Sequence, residues 1–398
     1  MILKKEKTLL PVREFVGLMA AMMALVALSI DAVLPALDKI EHSLSITESG
    51  NTHLIVSILF LGLAIGQIFF GTLSDFTGRK PAVTIGIVMF IIGCIISFLS
   101  NNLISMLLGR LLQGIGLSGP RVISVALVRD QYKGAEMARI MSLIMSVFII
   151  IPAIAPLLGQ TVLLFVSWHY IFVLSMLVGL IVLIWFIIRQ PETLRVEERK
   201  SFSVQSLFNI IYKIVSNKVA LGYTIIAGIV SGMFLGFLSS IQPVFNSYNK
   251  GDSFALGFAI LALFIGCSHL VNAKIVRKVK IDLIVKFILK LICGISICFL
   301  LLSISIGLNF WSTMIFFIAS LFCIGILFGN LNALAMEPLG KVAGVGSSIV
   351  GSLSTFISVP IGILIGFLFN NSIYPLVVCF LLLSLIALII IYWIKRNN

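Results

Sequence analysis

Runs of about twenty apolar residues recur from one end of this 398-residue chain to the other, separated by short segments that hold most of the charges and turn formers. Cutting at those segments gives twelve helical spans, at about 14–37, 51–73, 81–99, 103–128, 138–163, 169–188, 219–242, 253–275, 284–306, 310–335, 344–368 and 373–394. At 1.5 Å of rise per residue, each is long enough to cross a hydrocarbon layer of about 30 Å. The short alternating strands of a membrane barrel do not occur. The pattern predicts an all-α membrane protein with twelve transmembrane helices, and the even number of crossings puts both termini on one side.

Composition agrees: 60% of residues are hydrophobic, 11% are charged and the mean hydropathy is +1.18, more apolar surface than a soluble core can hide. The net charge of +13 does not point to nucleic acid, because the basic residues are scattered among the short segments between spans. Twenty-four of the 28 lysines and arginines fall at the termini, after even-numbered spans or within about two turns of that end of the flanking spans, against only Lys39 and Lys250 on the other side. The positive-inside rule then places both termini in the cytoplasm, with the chain in the cell (inner) membrane. Lys4, Lys5 and Lys7 ahead of an apolar run imitate a signal peptide, but the run is long, contains Asp31 and lacks a small-x-small cleavage site, so an uncleaved first span is expected. Cys94, Cys267, Cys293, Cys298, Cys323 and Cys379 all lie inside apolar runs without metal-ligand spacing; no disulfide, metal or cofactor is expected.

The longest hydrophilic stretch follows the sixth span. It divides the chain into a six-helix half at 1–188, a cytoplasmic linker at 189–218 and a second six-helix half at 219–398, the layout of a transporter built from repeats. The middle of the linker is amphipathic (Phe202, Leu207, Ile210, Ile211) and reads either as a helix on the inner leaflet or as a disordered tether.

One stretch is out of character with its surroundings. Residues 71–80 read G-T-L-S-D-F-T-G-R-K and fall in the turn between the second and third spans. Anchoring at lipid headgroups accounts for Arg79 and Lys80 but not for Asp75, Gly71 and Gly78. The pattern G-x-L-S-D-x-x-G-R-K resembles the signature loop of the major facilitator superfamily. I-D-A-V-L-P-A-L (30–37), L-G-R-L-L-Q-G-I-G (108–116), A-L-V-R-D-Q-Y (126–132), A-P-L-L-G (155–159), W-H-Y-I-F (168–172) and M-E-P-L-G-K-V-A-G (336–344) narrow the likeness to its Bcr/CflA branch of drug:proton antiporters. The resemblance implies two pseudo-symmetric six-helix halves, a monomer, and proton-coupled efflux of small organic compounds by alternating access. It also implies a conformational switch in which Asp75, with Gly78 and Arg79, holds the halves together in the outward-facing state. Two departures stand out: the span-five motif, usually ending G-P-x-x-G-G, reads A-P-L-L-G-Q at 155–160, and the C-terminal counterpart of the loop, near 272–282, has lost its glycines.

Ionisable groups inside spans each cost a few kcal/mol unless they face water or a partner. Asp31, Arg110 and Arg121 are the clear cases. Asp31 and Arg110 lie at matching depth, so one reading makes Asp31 the proton carrier with Arg110 beside it, and the other makes them a structural ion pair. Arg110 and Arg121 are eleven residues apart and share a face of the fourth span. With Gln113 and Gly114, they are candidates for the wall of a substrate cavity, although Arg121 also fits headgroup snorkelling or a cytoplasmic pin. Pro120 leaves the Gly116 carbonyl without its helical partner and free to face that cavity. Pro152, Pro156 and Gly159 share a face of span five and predict a bent helix packed at the interface between halves. Arg129, Asp130 and Glu337 are candidate gating residues, with Glu337 set to pair with Lys341 or Arg129. Gly62 with Gly66, and Gly344 with Ser348 and Ser352, are small-residue pairs suited to close helix contact. His53, His169 and His269 are isolated in sequence and carry little weight for proton work.

The partners expected are a small organic substrate, protons and the lipid bilayer. A specific metabolite importer or exporter, by proton symport or facilitated diffusion, remains the alternative on the same fold. No Walker loop, G-x-S-x-G, H-E-x-x-H or paired intramembrane aspartates point to an ATP-driven pump or an enzyme, and a passive channel does not account for residues 71–80.

Overall fold

The computed structural model describes residues 10–46, 51–148, 150–199, 204–307, 309–369 and 372–396. They form helices α1 (Val12–Asp31), α2 (Leu37–Ser43), α3 (Leu54–Thr77), α4 (Arg79–Phe98), α5 (Leu103–Gln131), α6 (Gly134–Phe148), α7 (Ile151–Phe165) and α8 (Tyr170–Arg189). After these come α9 (Val204–Ser216), α10 (Lys218–Ser247), α11 (Phe254–Ile275), α12 (Ile281–Ile306), α13 (Phe310–Met336), α14 (Ala343–Leu368) and α15 (Tyr374–Arg396). Twelve helical stretches are long and apolar enough to cross a membrane, as the hydropathy pattern predicts.

Side-chain chemistry fixes several boundaries. α5, α10 and α13 start behind Asn102, Asn217 and Asn309, whose side chains accept from the first free backbone N–H groups. α1 ends at Asp31, earlier than the twenty-odd apolar residues suggest. Pro35 has no N–H to give the Asp31 carbonyl, so the chain passes through a 3₁₀ turn (Leu34–Ala36) before α2 completes the first span. The fifth span breaks into α6 and α7, with Pro152 in the first turn of α7.

Burial follows a two-fold pattern. The first and seventh spans are the most enclosed, each 78% buried over its apolar window, and the fourth and tenth follow at 67%. The most enclosed spans fall at corresponding positions, as expected of two pseudo-symmetric six-helix halves. α3, α4, α5 and α8 pack together in the first half, and α10, α12, α13 and α15 in the second.

The two groups meet along α3 and α14, and between α7 and α11. α3 runs against α14 from His53 beside Gly366, through Ser352 donating to the Ala64 carbonyl at 2.6 Å, to Gly71 beside Ser348. Within the first half, Gly62 and Gly66 of α3 lie so close to α5 that an added Cβ would strike the Leu111 and Ile115 carbonyls. The α7–α11 contact lies at the end of the molecule remote from residues 71–80, where Gln160 Nε2 donates to the Asp252 carbonyl at 2.9 Å. α6, the other part of the fifth span, packs instead on α1 and α5 of its own half.

Candidate functional site

Two polar regions interrupt the apolar interior. The first surrounds Arg110, whose side chain is fully buried. Its Nε donates to the Ile55 carbonyl at 3.0 Å, and its Nη1 donates to the Ser29 carbonyl and to Gln113 Oε1, both at 2.9 Å. Gln113 in turn donates to the Gly93 carbonyl and to Ser97 Oγ. One guanidinium thus ties α5 to α1 and α3, and its glutamine extends the tie to α4. Gly114 lets α3 approach: a Cβ there would meet the Leu59 carbonyl. Among the described residues the cation has only neutral acceptors, and Nη2 is buried with no partner.

Asp31 ends α1 two residues after Ser29 and is 5% exposed. Its carboxyl makes no hydrogen bond or ion pair among the described residues, so Asp31 and Arg110 are neighbours in depth but are not joined in this conformation. Arg121 is half-buried and likewise unpaired, on the face of α5 that Arg110 directs at α1 and α3. The Gly116 carbonyl does not line a cavity: it faces Gly86 of α4, whose missing Cβ lets the two helices touch.

The second region is the turn at 71–80. Gly78 has φ +107°, a conformation open to glycine, and separates α3 from α4. Arg79 folds back over the turn, donating to Asp75 Oδ1 at 2.6 Å, Ser74 Oγ at 2.9 Å and Asp130 Oδ2 at 2.9 Å. Asp75 and Asp130 therefore share one cation within the first half, and neither reaches the second half among the described residues. Lys80 donates to the Ile187 carbonyl at 2.6 Å at the end of α8.

The residue that sequence reasoning missed is Glu192. From the segment after α8 it accepts from the backbone N–H groups of Arg79 and Lys80, at 3.0 and 2.9 Å, and so caps α4 across 113 residues of sequence. Gly78 has no side chain to do this. Thr193 adds a bond to Asp130 Oδ2 at 3.1 Å. Only the loss of a local capping residue at the start of α4 hinted at a distant acid.

Other expected groupings are partly realised. Pro156 and Gly159 lie on the buried face of α7, but Gly159 packs on Ala32 and Pro35 of its own half; the crossing contact is made by its neighbour Gln160. Asn330 of α13 exchanges two amide hydrogen bonds with Asn272 of α11, at 2.8 and 3.2 Å. Glu337 and Arg129 are exposed and not paired with each other; the side chain of Lys341 lies outside the described residues. In the linker, Phe202 is outside them too, as are the side chains of Leu207 and Ile210 on α9, while Ile214 of α9 is buried and Phe208 and Tyr212 are exposed.

Comparisons with known proteins bear on the family and the fold. The family model for the Major Facilitator Superfamily matches residues 19–363. A bicyclomycin resistance protein homolog of Haemophilus influenzae is 26% identical over 376 residues, 93% of each chain. The multidrug resistance protein MdtL of Salmonella typhimurium is 27% identical over 381 residues, 90% of this chain and 93% of that one. Among solved structures, the human organic anion transporter MFSD10 superposes with a TM-score of 0.70 at 16% identity, covering 97% of this chain and 100% of that one. The Escherichia coli xylose transporter XylE in a partially occluded inward open conformation gives 0.75 at 11% identity, covering 97% and 99%.

Proposed function

The chain belongs to the Major Facilitator Superfamily and is a multi-pass membrane transporter of small substrates, and on that premise we propose that it exports small organic compounds in exchange for protons. The moving bodies are the halves at 1–188 and 219–398, joined by the linker at 189–218, in a monomer of the cell (inner) membrane with cytoplasmic termini. The names of the bicyclomycin and multidrug resistance relatives favour drug-like cargo.

One observation carries the reading: among the described residues Asp31, buried within a membrane span, has no partner, two residues from a carbonyl held by a cation that still has a free donor. A buried charge is tolerated when paired and costly when alone. Asp31 holds a proton while it stands apart from Arg110, and yields it when a shift of α1 brings the carboxylate to Arg110 Nη2. Exchange of that proton for substrate couples the two fluxes. Arg121, unpaired on the same face, supplies a cationic contact for cargo.

In the conformation described, the halves are joined through Gln160 and Asp252 at the end opposite residues 71–80, while Asp75, Arg79 and Asp130 are satisfied within the first half. This supports a state in which the switch at 71–80 is disengaged while α3 and α14 still meet beside Gly71. In the outward-facing state Asp75 would exchange part of its bond with Arg79 for a contact with the second half.

The test uses proteoliposomes containing a pH-sensitive dye, an imposed proton gradient and a panel of lipophilic cations, zwitterions and anions. Substrate-triggered proton movement that is lost in Asp31→Asn is expected, and its direction separates antiport from symport. A tracer that equilibrates with no proton movement for any compound would leave a facilitator and remove the antiport reading.

A further inference from the structure

One titratable side chain outside the Asp31 and Arg110 region sits where the two halves close on each other. His53 immediately precedes α3 and is 5% exposed. Its ring lies against Gly366 of α14, where an added Cβ would come within 2.8–2.9 Å of three His53 atoms, and it sits beside the Ser239 backbone of α10. One imidazole of the first half therefore contacts two helices of the second. Its Nδ1 is buried without a partner, as are Ser57 Oγ one turn along α3 and the Ser239 and Ser240 hydroxyls on α10. Unsatisfied polar groups are expensive in a dry interface, so this seam is poised against its own closure.

We propose that His53 is a proton-binding residue of this gate: a proton taken up when the seam opens holds that end open, and its loss allows the halves to close. The charged surroundings give the direction. α14 has no ionisable side chain, α10 has none beyond Tyr223 until Tyr248 follows it, and α3 has only Asp75 at its other end. The remaining groups come from Asp31, from Asp38, Lys39 and His42 on α2, from Glu41, which accepts from Thr52 Oγ1 at 2.7 Å, and from Arg110, whose Nε holds the Ile55 carbonyl two residues from His53. A cationic ring in the closed seam would place a second positive charge near Arg110 and give Nδ1–H no acceptor. Opening hydrates the ring and removes both penalties. Proton binding and opening therefore favour each other reciprocally.

The inference rests on the alternating-access reading and not on the role of Asp31. It is tested in lipid nanodiscs with spin labels on p-acetylphenylalanine at Asn101 and Lys250, exposed positions in opposite halves at this end, which leaves the native thiols untouched. Double electron–electron resonance between about pH 8 and pH 5, the range in which an imidazole changes charge, should show the long-distance population rising severalfold. The rise should vanish in His53→Gln and His53→Phe and survive in Asp31→Asn. A pH-independent distance in the wild type overturns the proposal, as does a rise that persists in both His53 variants or disappears in Asp31→Asn. Should neither His53 variant fold, deuterium exchange at the His53 C2–H in the unsubstituted chain decides: its titration midpoint must coincide with that of opening, and a mismatch rejects the assignment. A His53-dependent opening in a protein that moves no protons with substrate would reject antiport while leaving the gate intact.

Discussion

Replacing Glu192 by glutamine weakens the cap that links the end of the first half to the turn at 71–80. The native carboxylate uses Oε1 to accept from Arg79 N and Leu194 N and Oε2 to accept from Lys80 N. Glutamine keeps one acceptor and sets an amide N–H₂ against a backbone donor, so one charge-assisted bond is lost and the carboxylate's attraction to the helix N-terminus disappears. Helix caps are worth about 0.5–2 kcal/mol, and the carboxylate is partly exposed, so a local loss of about 1–2 kcal/mol is expected. That corresponds to about 5–30-fold faster exchange of the Arg79 and Lys80 amides. Hydrogen exchange followed by mass spectrometry on peptides spanning 76–84 measures it directly, with peptides from α14 as internal controls. Exchange unchanged within about twofold, or accelerated equally in α14, would show that Glu192 does not cap α4.

The neighbouring glycine gives a larger effect by a different route. Gly78→Ala places a Cβ at φ +107° and within 2.6 Å of Glu192 Oε2, so about 1–3 kcal/mol of backbone strain adds to a displaced cap. Thermal unfolding followed by tryptophan fluorescence should show a lower Tm than for Glu192→Gln, and equal values would count against the strain. At the opposite end, Gly159→Val drives side-chain atoms into the Ala32 carbonyl and Pro35 Cγ, with an overpacking cost of about 1–3 kcal/mol. The same assay should register this as a lowered Tm, whereas an unchanged Tm would mean that α7 can move away freely.

The membrane fold could be read because its cause is local. A lipid solvent requires every spanning segment to satisfy its own backbone, so twenty apolar residues are enough to specify a helix, and the breaks between them mark the turns. The charged turn at 71–80 was legible for the same reason: Asp75, Gly78, Arg79 and Lys80 act within ten residues of one another. The Arg79 cluster was only half visible, because Asp130 and Glu192 arrive from 51 and 113 residues away. The buried polar centre was less legible still. Matching depth brought Asp31 and Arg110 to the same level, but depth along two helices does not specify rotation about them.

The sequence by itself determined the solvent, the number of crossings, the repeat and the family-like loop, since each depends on residue type and short spacing. The tertiary structure decided which neutral carbonyls hold Arg110, that Asp31 stands unpaired among the described residues and that Gly116 faces Gly86. It also decided that an isolated histidine lies in the seam between the halves. Those outcomes depend on the rotation and mutual approach of helices set by glycine contacts and crossing angles, quantities that emerge only when all the helices pack at once.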